Sequence, residues 1–434
     1  RWHTSLTLAG DASAAPYVTT SLERGILRAR NARTGLECAA AFSRECSQWT
    51  CDEAAWFARE PGMECGAGLA PCFGAVFPGG GPLVIVLGAA PDAELAALAD
   101  IDAARAALER TREGLERVCR VKSASPHEAV RRYLDGWAVY QTLVCRLRAR
   151  CSLYQSGGAY GFRDQLQDAA NLLFLSPKYA RERILDACAH QYAEGDVMHW
   201  WHPGAPDRGV RTRISDDLLW LPWAVCEYVE ASGDRGILSE LVRGLASPPL
   251  AEGERSRYEP AEPADAPASV LEHCAAAFRC VLRRGFGPHG LLKIGSGDWC
   301  DAFDAVSGES VWLTEFFAHT ARRFVGYLDT RSAAALESAA RRCLRGVEAA
   351  WDGEWYRRGY YADGSPLGSR ESRGCKIDAL AQAWAAFCGC DENRVDTALR
   401  SAVRALFDED VGLARLFAPP FGDGTERTGY INGY

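Results

Sequence analysis

Residues 91 to 108 read Pro91-Asp92-Ala93-Glu94-Leu95-Ala96-Ala97-Leu98-Ala99-Asp100-Ile101-Asp102-Ala103-Ala104-Arg105-Ala106-Ala107-Leu108, and the organisation of the chain turns on them. Leu95, Leu98, Ile101, Ala104 and Leu108 recur every three or four positions, the spacing of one helix face. Upstream the texture differs. Tyr17-Val18-Thr19-Thr20 and Leu83-Val84-Ile85-Val86-Leu87 are short β-prone runs bounded by Gly and Pro, in a stretch rich in Thr, Ser, Gly and Val. Residues 1–90 are therefore expected to form strands of an antiparallel β-sandwich and, being too few for a whole one, its C-terminal part. Residues 91–125 are expected to be a helical linker.

Downstream the helical period persists. Segments 127–149, 164–174, 179–193, 215–231, 268–284, 309–327, 331–349, 375–387 and 393–407 each carry an apolar face, separated by loops rich in Gly, Asp and Trp. No fixed repeat accompanies them, which disfavours a TPR or HEAT solenoid. Helices of this length alternating with long loops fit a mainly α domain over 126–434, an (α/α)6 barrel whose loops at one end form a pocket. The Pro-rich, acidic stretch 247–268 has no apolar pattern and reads as an exposed loop.

Composition narrows the function. Of 434 residues, 49 are Lys or Arg and 57 are Asp or Glu, a net charge of −8 with no basic stripe, which argues against a nucleic-acid partner. The longest apolar stretches, Pro82 to Ala90 and Leu218 to Val225, fall far below the roughly 20 residues of a bilayer span, so no membrane segment is expected. The chain starts at Arg1 with no charged-then-apolar leader behind it, so no secretory signal is visible. Its 17 cysteines, an odd number, are scattered singly and never form a Cys-x-x-Cys cluster. They read as free thiols in a reducing, cytoplasmic setting, with no metal site. The close pairs Cys46 with Cys51 and Cys388 with Cys390 have no diagnostic spacing.

Three loops carry the candidate chemistry. The first, Tyr154-Gln155-Ser156-Gly157-Gly158-Ala159-Tyr160-Gly161-Phe162-Arg163-Asp164-Gln165, joins aromatics and glycines to an Arg-Asp pair. It is either a sugar-binding loop, where glycines allow close approach, or a helix start with Arg163 and Asp164 as a structural pair. The second runs from His199-Trp200-Trp201-His202-Pro203 to Arg208-Gly209-Val210-Arg211-Thr212-Arg213-Ile214-Ser215-Asp216-Asp217. Ser215 or Asp216 can cap the helix that follows. Arg211 and Asp217 are left as a bidentate donor and a bidentate acceptor for vicinal hydroxyls or phosphate. The third is Gly295-Ser296-Gly297-Asp298-Trp299-Cys300-Asp301, followed by Asp304 and Gly308-Glu309-Ser310-Val311-Trp312. A carboxyl between Trp299 and Phe303 is expected to be desolvated, its pKa raised toward that of a general acid. A calcium loop is the other reading of this acidic run, but the twelve-residue ligand pattern is absent.

The reaction class follows from counting acids. Inverting glycosidases need two carboxyls, one for the leaving oxygen and one for a water on the opposite face. With phosphate as the nucleophile the base becomes unnecessary, and the site needs one acid and a group of cations. One acidic loop with Arg211, Arg213 and Lys376 suits that arrangement better than two matched acids. An inverting hydrolase and a non-catalytic carbohydrate-binding or chain-length module are the alternative readings.

These motifs resemble glycoside hydrolase family 94, the cellobiose, chitobiose and 1,2-β-oligoglucan phosphorylases together with the phosphorylase-like domain of cyclic β-1,2-glucan synthase. The resemblance runs from about Ala29 to Tyr434 and rests on 154–165, Glu194-Gly195-Asp196-Val197, 199–203, 211–220, Gly297-Asp298-Trp299 and 308–312. It implies a β-sandwich, a helical linker and an (α/α)6 barrel. The activity implied is phosphorolysis of a β-gluco-oligosaccharide to α-glucose 1-phosphate, with no cofactor beyond inorganic phosphate. Asp301 matches the family's general acid, Arg211 and Asp217 its glucose-binding pair, and Trp299 its loop tryptophan. Asp298 joins these as a substrate-binding residue, and Lys376 matches a phosphate-pocket position. Cys300 stands where the family usually has Asn, Ala302-Phe303 replaces Gly-Met, and the loop from Asp304 to Gly308 is short. The family also continues past the position of Tyr434 through a Gly-rich loop and further barrel helices, so a longer natural chain is expected. A β-1,2-glucan is the favoured substrate and a homodimer the expected assembly.

Overall fold

The computed structural model describes residues 1–6, 15–33, 35–58, 70–118, 122–148, 158–204, 206–422 and 428–431. Tyr154 to Gly157 of the first candidate loop lie outside them, as do Cys65, Cys119 and Cys151. The chain divides into two compact units, Arg1–Tyr140 and Gln141–Tyr434.

In the first unit, strands β1 (Trp2–Ser5), β2 (Val18–Glu23), β3 (Ile26–Asn31), β4 (Glu37–Phe42), β5 (Gln48–Asp52), β6 (Pro71–Val76) and β7 (Ile85–Gly88) form two antiparallel sheets, ordered β2-β3-β4-β7 and β1-β6-β5. Glu23 pairs with Ile26, leaving the two-residue turn Arg24-Gly25 with φ of 51° and 81°. That is the positive-φ turn whose twist matches a hairpin. Val18, Leu27 and Ala40 of one sheet meet Cys51 and Phe73 of the other in one apolar cluster. The helix Asp92–Leu98 sets Leu95 against Ala39 and Ala41 on the outer face of β4, and Ile101–Val118 follows it.

The second unit is helical with small antiparallel sheets. Each of the nine expected helical segments contains helix; the first, 127–149, runs across the boundary between the units and the other eight lie in the second. Four pairs follow one another: Phe162–Ala170 with Pro177–Ala189, Trp220–Ser232 with Val270–Arg284, Val311–Phe324 with Thr330–Ala349, and Ala379–Cys388 with Glu392–Leu406. The first members also pack in series, Phe162–Ala170 on Trp220–Ser232, that helix on Val311–Phe324, and the latter on Ala379–Cys388. Burial separates an inner from an outer member. Eleven of the 14 residues of Val311–Phe324 are buried, against five of the 20 of its partner Thr330–Ala349. The outer helices keep a solvated polar face, as amphipathic patterning requires.

Two expectations about boundaries are corrected, for one physical reason. The helix expected from 215 begins as α-helix only at Trp220, and the one expected from 375 begins at Ala379. In both places the missing residues are drawn into other contacts. Ser215 bonds to Gly297, Asp216 to Arg163, and Ile377–Asp378 pairs as a strand with Phe417–Ala418. The stretch 247–268 is also more ordered than a loop. Ser256–Pro260 forms a strand on Arg208–Thr212, and its polar alternation of Arg257 and Glu259, which bond to each other, hid it.

Candidate active site

The acid loop 295–301 is shaped by backbone geometry. Gly297 has φ of 136°, open to glycine alone, and its carbonyl accepts from both the amide and the hydroxyl of Ser215, each at 3.0 Å. Beyond it, Asp298 is fully buried. Its Oδ1 accepts from Cys300 N (3.1 Å) and from Arg358 Nη2 (2.6 Å), and its Oδ2 from Ser310 Oγ (2.7 Å). Arg358, also fully buried, donates to Ser310 Oγ at 3.1 Å and lies 3.4 Å from Asp378, the N-cap of Ala379–Cys388. Burial pushes the Asp378 carboxyl up to about 6 despite Arg358. Asp298, read from sequence as a substrate contact, thus has both oxygens engaged inside the protein and serves as the loop's support.

Asp301 projects from this loop into a ring of charges. Its Oδ1 accepts from Arg163 Nη2 at 2.8 Å, and its Oδ2 lies 3.5 Å from His199 Nε2. His199 Nδ1 is 2.8 Å from Asp217 Oδ2. Arg163 Nη1 donates to Asp216 (3.1 Å) and to the carbonyl of Asp298 (3.1 Å), and stands 3.7 Å from Asp217. Asp216 also accepts from Trp220 Nε1 at 2.9 Å. Exposure separates the three acids: the Asp301 side chain is 33% exposed, Asp216 0% and Asp217 2%.

The expectation that desolvation raises Asp301 is reversed. Burial does push it up, but His199 and Arg163 outweigh burial and hold the carboxyl below its ordinary value. His199 moves the other way: burial pulls it down, and Asp217 followed by Asp301 raises it to about 10. Asp216 is pushed up to about 7, burial exceeding the pull of Arg163.

His199 stands on the strand Met198–His202, which pairs with Arg208–Thr212. The register slips beside it, Val210 pairing with Trp200 and Arg211 with Met198, so His199 is the bulged residue of the strand. Trp201, two residues on, stacks on His190 at 3.7 Å and on Tyr160 at 5.9 Å. Arg163 is in the first turn of Phe162–Ala170, Asp216 and Asp217 immediately precede Trp220–Ser232, and Ser310 caps Val311–Phe324. Every charge in the ring or beneath it, His199 and Arg358 apart, sits at a helix start or on the loop lashed to one.

The other sequence candidates divide. Asp217 and Trp299 belong here; Trp299 is half-buried against the main core, and Asp217 Oδ1 has no hydrogen-bond donor among the described residues. Arg211 lies in a different network. It is 1% exposed, and all five of its donors go to Asp196, Glu194 and the carbonyls of Ser247 and Pro248, with its guanidinium 3.8 Å over Tyr192. It braces the strand Arg208–Thr212 and presents no free donor. Lys376 is exposed and makes no ion pair among the described residues. Its neighbour Cys375 packs with Cys300 and Phe303, so Lys376 adjoins the acid loop. Cys300, in the place of Asn, is a core residue whose thiol burial raises to about 11.

Two local readings are also corrected. Arg163 and Asp164 do not pair: Arg163 turns to Asp216 and Asp301, while Asp164 meets Arg146. Neither Ser215 nor Asp216 caps the following helix by a side-chain bond. Sequence reasoning named His199 within a motif without giving it a role, and it missed Arg358 altogether. Composition offers a signal for His199, which lies in the aromatic-rich run His199-Trp200-Trp201-His202. It offers none for Arg358. Among the described residues no group of three His, Cys, Asp or Glu could hold a metal, and no helix is long and apolar enough to cross a membrane. The 14 described cysteines are free thiols.

The titration of His199 sets a stability prediction. Its pKa is raised on folding, so its contribution is complete below its unfolded value of 6.5 and is lost as pH rises through about 10. The urea midpoint is therefore expected to fall between pH 7 and 10. Buried thiols with raised pKa values act in the same direction, so the measurement is the difference between wild type and His199→Gln. A variant with the same slope as wild type would remove His199 from the account.

A buried ring of carboxylates and cations around one accessible acid, at the joined ends of paired helices, is the kind of centre that protonates a leaving group. The chain matches the "Glycosyl hydrolase 94 superfamily, catalytic domain" over residues 115–434, more than half its length, and it belongs to that family. It is 41% identical to the cyclic beta-(1,2)-glucan synthase NdvB of Rhizobium meliloti (strain 1021) over 324 residues, 72% of this chain and 11% of that protein. It is 28% identical to the solabiose phosphorylase of Paenibacillus borealis over 322 residues, 71% of this chain and 38% of that one. With the N,N'-diacetylchitobiose phosphorylase of Vibrio furnissii it shares 25% identity over 369 residues, 77% of this chain and 43% of that one. The chain thus spans less than half the length of each of these relatives.

Proposed function

We propose that this chain carries the acid half of an inverting phosphorylase site, in which a β-linked gluco-oligosaccharide is cleaved by inorganic phosphate to α-glucose 1-phosphate. The observation that carries the reading is the exposure difference among the three acids. One carboxylate, Asp301, is open to a ligand, while Asp216 and Asp217 are buried and held by Arg163 and His199. A hydrolase needs a second accessible carboxyl for water; a phosphorylase does not. In this reading Asp301 is the acid, Asp217 orients His199 from the wall of the site, Trp299 offers an aromatic face, and Lys376 faces phosphate. Arg211 and Asp298 hold the walls.

The proposal extends to architecture, the four helix pairs being sectors of an (α/α)6 barrel that follows β-sandwich strands and a helical linker in the sequence. It extends to substrate: the 41% identity to a β-1,2-glucan synthase favours β-1,2-linked glucans. Free thiols suit a cytoplasmic location. The test is incubation with β-1,2-, β-1,3- and β-1,4-gluco-oligosaccharides, with and without phosphate. Glucose 1-phosphate is expected only with phosphate, and fastest from the β-1,2 substrate. Release of reducing sugar without phosphate would replace the reading with hydrolysis.

A further inference from the structure

We propose that His199 stores the proton that Asp301 delivers to the leaving oxygen, with Asp217 holding the imidazole so that Asp217, His199 and Asp301 form a buried proton relay. This rests on the phosphorolytic reading above. His199 is not a catalytic residue in this scheme; it acts through Asp301.

The geometry is that of an imidazole between two carboxylates. Nδ1 is 2.8 Å from Asp217 Oδ2, and Nε2 faces Asp301 Oδ2 at 3.5 Å. A doubly protonated ring satisfies both oxygens as a donor, whereas a neutral ring leaves one nitrogen lone pair facing an anion. Asp217 thus fixes the ring's orientation and stabilises its charged form, the logic of a catalytic triad turned toward donating a proton. Among the described residues the charges facing this ring are few. Asp217 comes from the turn before Trp220–Ser232, Asp301 from the acid loop, and behind them stand Arg163 and its partner Asp216.

The arrangement answers a difficulty raised by the site itself. A general acid must carry a proton, yet Asp301 lies between two cations that favour its anion. Arg163 is nearer but its guanidinium does not give up a proton, so the transferable proton closest to Asp301 is on His199 Nε2. A phosphate dianion entering beside Asp301 raises the carboxylate's affinity for a proton. Nε2–H then passes to Oδ2. As the bond from C1 to the glycosidic oxygen breaks, Asp301 gives that proton to the oxygen, while an oxygen of HPO₄²⁻ bonds to C1 from the opposite face. The leaving sugar takes one hydrogen; the glucose 1-phosphate monoanion loses its own, which returns to Asp301 and His199 and closes the cycle.

The experiment has two arms, both on the full chain. Nitrogen-15 NMR of labelled histidine reads the His199 charge without substrate. An imidazolium that persists above pH 8 is expected, with Asp301→Asn and Asp217→Asn each lowering the midpoint by about one pH unit or more; a wild-type midpoint near the ordinary 6.5 overturns the relay. The second arm is the pH profile of phosphorolysis of a β-1,2-oligoglucan. His199→Gln is expected to keep KM within about threefold while moving the alkaline limb of kcat down by about one unit or more, because Asp301 must then draw its proton from water. A purely structural role would lower kcat without moving that limb. If His199→Gln does not fold, Asp217→Asn serves, with the same shift expected. An active wild type whose limb is unmoved in the variants overturns the relay. A wild type silent with phosphate at every pH defeats the phosphorolytic reading and the delivery step with it, a result separable from the first.

Discussion

Asp301→Asn lowers phosphate-dependent turnover by about 10²–10⁴-fold, the range set by loss of a positioned general acid, while the Kd for a β-gluco-oligosaccharide stays within a few-fold. Both halves follow from the geometry. Asn keeps an acceptor for Arg163, whose bond to Oδ1 is 2.8 Å, so the loop holds its place. The carboxyl proton is what is lost. Steady-state phosphorolysis together with calorimetric binding of the sugar checks both. Unchanged turnover would move the acid elsewhere, and the structure offers poor substitutes. Asp298 is fully buried with both oxygens engaged, and Asp304 is tied to Tyr430 N and paired with Arg255.

Arg358→Met destabilises the protein by about 3–5 kcal/mol, the usual consequence of removing one partner from a buried ion network. Arg358 is fully buried, touches Asp298 at 2.6 Å and Ser310 at 3.1 Å, and lies 3.4 Å from Asp378. Without it two acids remain in the core with no cation. Lys is expected to rescue poorly, because one ammonium cannot reproduce a planar fork that serves three partners on different elements. Urea unfolding measures the change, and a loss under about 1 kcal/mol would contradict the network's role. Activity is expected to fall with stability, since Asp298 anchors the loop that carries Asp301.

The two experiments separate what could be read from the chain from what could not. Helices were legible because an apolar face is a local pattern: Leu313, Phe316, Phe317 and Phe324 announce Val311–Phe324 without reference to any other segment. Asp301 was legible because its loop is a short motif. Its protonation was not, because the groups that decide it come from far away in sequence; Arg163 is 138 positions upstream. Desolvation by Trp299 and Phe303 was visible, and the opposing cations were invisible until the fold brought them in. Arg358 illustrates the same limit. In the run Arg357-Arg358-Gly359-Tyr360 nothing tells which arginine is buried, yet Arg358 is enclosed and Arg357 reaches Asp352. The misplaced helix starts at 215 and 375 are the reverse case, where a correct local pattern yielded to tertiary contacts that pulled Ser215, Asp216 and Asp378 into the site.

The placement of these charges at the beginnings of four inner helices also bears on how such a site can change over time. Those helices run for 9, 13, 14 and 10 residues, so at about 1.5 Å per residue their other ends, at Ala170, Ser232, Phe324 and Cys388, lie roughly 14 to 21 Å away. A turn gained or lost at those distant ends leaves the acid and its supports in register. Drift in helix length, outer surface and neighbouring segments is thereby insulated from the chemistry, and relatives can diverge in the one while keeping the other.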